Sequence, residues 1–220
     1  AEGPGMPTID AGGNSRAFNV NNVAGGPVTF SHLRFTGGTS SQVSIGTNAG
    51  NVTLAQNEFH PAQTNPYGVQ PFGGRSGIAV NGTGIGVVTV DQNAFIGGDI
   101  GVSLDGAAGA SYIITNNTFS TMVTAPISIS PSTSLASSIL IDHNTFDDCA
   151  ANSCVVVGQP ATISNNTFHA QIARRVSNFV QVHTGPSGSQ AVTLISNNSM
   201  VAVDIGAGSR ATTTTYAVTE

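Results

Sequence analysis

The sequence predicts an all-β solenoid of parallel strands, about seven coils long, with three short strands in each coil. Three observations carry that expectation. Asparagine recurs in one register, as in Ile114-Thr115-Asn116-Asn117-Thr118-Phe119. A second strand motif, of the Val102-Ser103-Leu104 kind, recurs between those copies, and the distance from copy to copy varies while the copies do not. One short unit repeated along a chain marks a repeat architecture.

The first copy, Phe30-Ser31-His32-Leu33-Arg34-Phe35, keeps both apolar posts but has Leu33 where the others carry Asn. The later copies run from Leu54 to Phe59, Val90 to Phe95, Ile114 to Phe119, Ile141 to Phe146, Ile163 to Phe168 and Ile195 to Met200. Their asparagines are Asn57, Asn93, Asn117, Asn144, Asn166 and Asn198, separated by 36, 24, 27, 22 and 32 positions. Asn tolerates the left-handed backbone of a tight bend and bonds local backbone groups, so each of these residues is expected to be the left-handed residue of a corner. Corners stacked at the strand spacing of about 4.8 Å would join their amides in a ladder. The posts on either side then point inward, each burial being worth roughly 1.5 to 3 kcal/mol.

Between the corners lie Val43-Ser44-Ile45, Ile78-Ala79-Val80, Val102-Ser103-Leu104, Ile127-Ser128-Ile129, Val155-Val156-Val157 and Val180-Gln181-Val182. Each alternates in, out, in, as a strand buried on one face does. The constant strands and variable connections describe a solenoid whose neighbouring strands are one coil apart in sequence.

These residues resemble the right-handed parallel β-helix proteins, whose repeats read roughly I-x-I-x-x-N-x-F followed by G-I-x-L. Ser76-Gly77-Ile78-Ala79-Val80 and Ile100-Gly101-Val102-Ser103-Leu104 supply the second half of that pattern, and the match covers nearly the whole chain. The opening, Thr8 to Val20 followed by Val28 to Gly38, looks like the first coils of bacterial secreted and cell-surface β-helix proteins of the pectin-lyase-like superfamily. The resemblance implies a three-sheet, right-handed parallel β-helix over residues 1–220 as a single domain, either whole or part of a longer chain or filament. It also implies an extracellular or cell-surface location.

Composition agrees with such a solenoid. Charged residues make up 8% of the chain, Lys and Trp are absent, and the net charge is −5. A basic stripe of the kind nucleic acid requires is missing, and the mild charge gives no membrane-surface patch. No segment is long and apolar enough to span a membrane. The opening Ala1-Glu2-Gly3 carries no basic, apolar leader, so any secretion signal is expected either to have been removed already or never to have been in this chain.

Catalysis in β-helix lyases and hydrolases, as the resemblance implies, uses carboxylates, a basic residue and sometimes calcium along the Val102-type sheet. Here the outward residues of that sheet are Asn19, Ser44, Ala79, Ser103, Ser128, Val156 and Gln181, none ionisable. Acid and base work on sugars needs paired carboxylates, and calcium needs several convergent oxygens. The flanking loops offer more. Asp147 and His169 each follow the Phe of adjacent coils, so stacking is expected to set them about 5 Å apart. Asp148, Arg174 and Arg175 come from the same loops and complete a candidate site for taking a proton from a uronic acid. The alternative is a salt-bridged pair of surface loops, worth little. The aromatic insertion from His60 to Arg75 places Tyr67, Phe72 and Arg75 as candidate sugar or partner contacts, or as a cover for the sheet.

Cys149 and Cys154 share one loop without further Cys or His, so a disulfide is expected in an oxidising compartment and a metal site is not. A cofactor is expected only in the lyase case, as calcium. On the middle strand the outward row is Thr29, Thr53, Thr89, Ile113, Leu140, Thr162 and Leu194, whose apolar members suggest a contact strip. Finally, Met6 to Asp10 and Ala211 to Thr219 both look like strands rather than capping helices. Uncapped coils expose backbone and core, so end-to-end self-association or attachment to other domains of the same protein is expected. The functional expectation is therefore a structural, adhesive or filament-forming module, with a carbohydrate-active enzyme or a non-catalytic glycan-binding module, contacting polysaccharide, as the alternatives.

Overall fold

A computed structural model describes residues 5–23, 26–61, 76–105, 109–130, 136–147, 153–171, 178–182, 193–203 and 212–213. All the regular structure in them is strand. In chain order these are β1 (Thr8–Asp10), β2 (Phe18–Val20), β3 (Val28–Ser31), β4 (Arg34–Thr36), β5 (Ser41–Ile45), β6 (Gly50–Ala55), β7 (Glu58–Phe59) and β8 (Ser76–Asn81). Then come β9 (Ile85–Asp91), β10 (Ala94–Ile96), β11 (Ile100–Asp105), β12 (Ser111–Thr115), β13 (Thr118–Ser120), β14 (Ala125–Ile129), β15 (Ser138–Asp142) and β16 (Thr145–Asp147). The last are β17 (Ser153–Val157), β18 (Thr162–Ser164), β19 (Thr167–Gln171), β20 (Asn178–Val182), β21 (Leu194–Ser196), β22 (Ser199–Val203) and β23 (Thr212–Thr213).

Every third strand joins the same sheet. The corner-exit strands, β1, β4, β7, β10, β13, β16, β19 and β22, form a nine-stranded sheet closed at one edge by β23. The Val102-type strands, from β2 to β20, and the middle strands, from β3 to β21, form two sheets of seven. All coil-to-coil pairings are parallel, and only β22 with β23 is antiparallel. The architecture is thus the three-sheet parallel solenoid that the repeats predict.

The core is made of stacked identical posts. Phe35, Phe59, Phe95, Phe119, Phe146 and Phe168 are all fully buried. Their rings lie 4.6 to 5.0 Å apart and within 5° to 10° of parallel. The strand spacing imposes that distance, and offset stacking makes it favourable. The glycines of the G-I-x-L pattern face this column. A Cβ on Gly77 would sit 2.9 Å from the Phe95 ring, and one on Gly101 would sit 2.6 Å from the Phe119 ring. Glycine is therefore a packing requirement there.

One expectation is corrected. The ladder asparagines are not the left-handed residues of the corner. That conformation falls one position earlier, at His32, Gln56, Gln92, Asn116, His143, Asn165 and Asn197, with φ between 52° and 58°. The earlier residue turns the chain and its side chain faces solvent, which leaves the next residue's amide free to bond along the solenoid axis.

Candidate functional site

Asn57, Asn93, Asn117, Asn144, Asn166 and Asn198 are 1% to 3% exposed and run in one column. From Asn93 onward each Oδ1 accepts two bonds from the coil before, while Asn57 Oδ1 accepts the Leu33 backbone N–H. Asn144 Oδ1, for example, receives the Asn117 backbone N–H at 2.9 Å and Asn117 Nδ2 at 3.0 Å. Each Nδ2 also donates to the post carbonyl of the preceding coil, as Asn144 does to Ile114 O at 2.9 Å. The column satisfies the backbone of the corner, a structural role.

The outward row of the Val102-type sheet keeps one register, but Ser44 in it is buried, at 2% exposed, with Arg16 Nη1 donating to its Oγ at 3.4 Å. Asn19, Ser44, Ala79, Ser103, Ser128, Val156 and Gln181 stand opposite one another in successive strands. No ionisable side chain interrupts them. The middle-sheet row from Thr29 to Leu194 is likewise continuous, with Leu194 47% exposed.

Asp147 and His169 are direct cross-strand partners on β16 and β19. Asp147 Oδ1 lies 3.9 Å from His169 Nδ1, and both side chains are about half exposed, at 61% and 47%. That is an open surface pair. Asp148, Arg174, Arg175, Tyr67, Phe72 and Arg75 lie outside the described residues. Cys154 is fully buried at the start of β17 and is disulfide-bonded, while Cys149 lies outside the described residues.

Two clusters were not anticipated. On β4 and β7, Arg34 Nη2 meets Glu58 Oε2 at 3.0 Å, and His60 Nε2 bonds the other carboxylate oxygen. Burial pushes Glu58 up, but hydrogen bonds from His60 and Arg34, and their charges, outweigh it and hold the carboxyl below its ordinary value. Arg34 and Glu58 immediately precede Phe35 and Phe59, and His60 follows Phe59. The stacking rule that paired Asp147 with His169 would have found them.

The second cluster flanks the corner. Asp91 Oδ1 accepts Thr115 Oγ1 at 2.8 Å and Asn116 Nδ2 at 2.9 Å, and Asp91 Oδ2 accepts Gln92 Nε2 at 3.1 Å. Two coils on, Asp142 repeats the arrangement with Ser164 at 2.6 Å, Asn165 at 2.8 Å and His143 at 2.5 Å. Burial raises Asp142, but its hydrogen bonds from Ser164, His143 and Asn165 win and lower it. All oxygens of both carboxylates are engaged within the fold. His32 and His143 sit at left-handed corner positions, and among the described residues no three His, Cys, Asp or Glu side chains gather to hold a metal ion.

A family model described as "Right handed beta helix region" matches residues 16–199. No curated protein and no solved structure matches the chain.

Proposed function

The chain belongs to the right-handed β-helix family, and from that premise we propose that it is a structural module of an extracellular or cell-surface protein, which works by stacking its coils on further β structure and by presenting its long, weakly charged sides. One observation carries this reading. The outer row of the sheet on which catalytic groups would need to converge holds only Asn, Ser, Ala, Val and Gln side chains from Asn19 to Gln181. Such a row has no group able to take or give a proton near neutral pH.

A second reading, a polysaccharide lyase or hydrolase, draws on Asp147 with His169 and on Arg34 with Glu58 and His60, all carried by the corner-exit sheet. Incubation with acidic and neutral polysaccharides separates the two. Formation of unsaturated uronates and of new reducing ends is expected to stay at the buffer level. Turnover that disappears in Glu58→Gln or His169→Ala would instead establish the enzyme.

A further inference from the structure

Asn81 is the last residue of β8 and is followed by Gly82, the one Asn-Gly pair in the sequence. Such a pair carries its own nucleophile. The backbone nitrogen of the glycine can attack the carbonyl carbon of the asparagine side chain, because no Cβ obstructs the five-membered ring that closes. Hydrogen bonds to the amide prevent that attack, and other asparagines of the solenoid have them. The ladder amides are buried and bonded along the axis, as in Asn117, Asn144 and Asn166. At the corners Asn116 and Asn165 donate to Asp91 and Asp142 at 2.9 and 2.8 Å. Asn51 Oδ1 accepts Val87 N–H at 2.9 Å.

Asn81 differs from all of these. Its side chain is exposed and makes no hydrogen bond among the described residues, and the Gly82 N–H has no acceptor among them either. The sheet holds it on one side only. Toward the previous coil β5 ends at Ile45, opposite Val80, while toward the next coil Asn81 pairs with Asp105. The turn is fixed one residue later, where Thr83 O accepts Asn48 N–H at 2.8 Å. Glycine is obligatory in between, since Gly82 has φ 155° and a Cβ on it would sit 2.6 Å from Thr47 N. The fold therefore demands the very residue that makes the pair reactive.

We infer that Asn81 is a modification site, at which the folded chain deamidates itself. Hydroxide takes the proton of the Gly82 N–H, the nitrogen bonds to Asn81 Cγ, and the bond from Cγ to Nδ2 breaks. Nδ2 takes a proton from water and leaves as ammonia. Water then opens the cyclic imide at the side-chain carbonyl, giving aspartate, or at the backbone carbonyl, giving isoaspartate. One water enters and one ammonia leaves. The new carboxylate is ionised at neutral pH and makes the chain one unit more negative than its −5. It stands across the strands from Asp105, whose Oδ1 accepts the Ser130 hydroxyl. Like charges directly opposite on neighbouring strands are destabilising, so the modification loosens the end of β8. It does so whether the module is structural or catalytic.

Ageing the full chain at mildly alkaline pH, with anion exchange to separate the products and tandem mass spectrometry to locate them, tests the site. A synthetic peptide of residues 76–86 is aged alongside, and the incubation continues until that peptide has reacted. The expected result is a species with one added negative charge, altered first at Asn81, in both aspartate and isoaspartate forms, at a rate proportional to hydroxide. Its aspartate form should elute with the Asn81→Asp variant. Asn81→Gln, whose attack would need a six-membered ring, is expected to yield none of this species. An acidic species that forms as fast in Asn81→Gln, or that maps first to another asparagine, overturns the inference. So does an Asn81 still intact in the chain when the peptide has reacted, which would mean that the fold protects the pair.

Discussion

Only Thr145 and Phe146 separate Asn144 from Asp147, yet they belong to different physical worlds. Asn144 is 1% exposed and exchanges hydrogen bonds with coils on both sides, whereas the Asp147 side chain is 61% exposed and lies 3.9 Å from His169. The same stacking register has opposite energetic meaning on the two sides of the wall. Inside, repetition removes every alternative partner, water included, so each rung depends on the next. Outside, water competes for each contact and the pair is worth little.

The sharpest way to break this contrast is Asn144→Ala. It strands Asn117 N–H, one Asn117 Nδ2 hydrogen and Ile114 O, so a loss of about 3 kcal/mol is expected in denaturant unfolding. A loss under about 0.5 kcal/mol would place the ladder among ordinary surface contacts. Next comes Gly101→Ala, whose new Cβ would press on the Phe119 ring at 2.6 Å. Overpacking of this kind is expected to cost about 2 kcal/mol, and a fully tolerated variant would show that the phenylalanine column can shift.

Tyr112 sharpens the comparison in the other direction. It is 3% exposed, its hydroxyl has no hydrogen-bond partner among the described residues, and burial pushes its pKa to about 12. Tyr112→Phe removes an unsatisfied group and is expected to stabilise the chain by about 1 kcal/mol. A destabilised variant would mean that the hydroxyl is satisfied in solution.

The acid response follows from the two lowered carboxyls. Glu58 and Asp142 sit below their unfolded values, so the stability they contribute is fully present above the ordinary carboxylate range and is lost as pH falls through their folded values. Asp142→Asn is expected to flatten the acid limb of a Tm-against-pH curve between neutral pH and about 3, with little change at its top if the amide keeps the cage. A limb of unchanged slope would remove Asp142 from that role. Smallest of all, Asp147→Ala is expected to change stability by less than about 0.5 kcal/mol, and a larger loss would show that the outer pair is not merely a surface contact.

How much of this was legible beforehand follows the same division. The corner copies located Asn57 to Asn198 and Phe35 to Phe168, and alternation located the outer row from Asn19 to Gln181, because period and register are properties of the local sequence. The stacking that sets Asp147 beside His169 also sets Arg34 beside Glu58, with His60 two positions on, so that cluster too is legible in the register. The Asp91 and Asp142 cages left a weaker trace. Their partners, at Thr115, Asn116, Ser164 and Asn165, are ordinary polar residues until stacking brings them within bonding distance.

The sequence by itself determined the kind of fold, the inward and outward assignment of its strands and the identity of the ladder, since each follows from a repeat that satisfies itself coil upon coil. Only the tertiary structure decided which corner residue takes the left-handed backbone and which polar side chains of neighbouring coils close round Asp91 and Asp142. Those are questions of which group faces which across a gap of 22 to 36 residues in the chain. A hydrogen bond is a property of two positions and a direction, and only the stacked coils supply the second position.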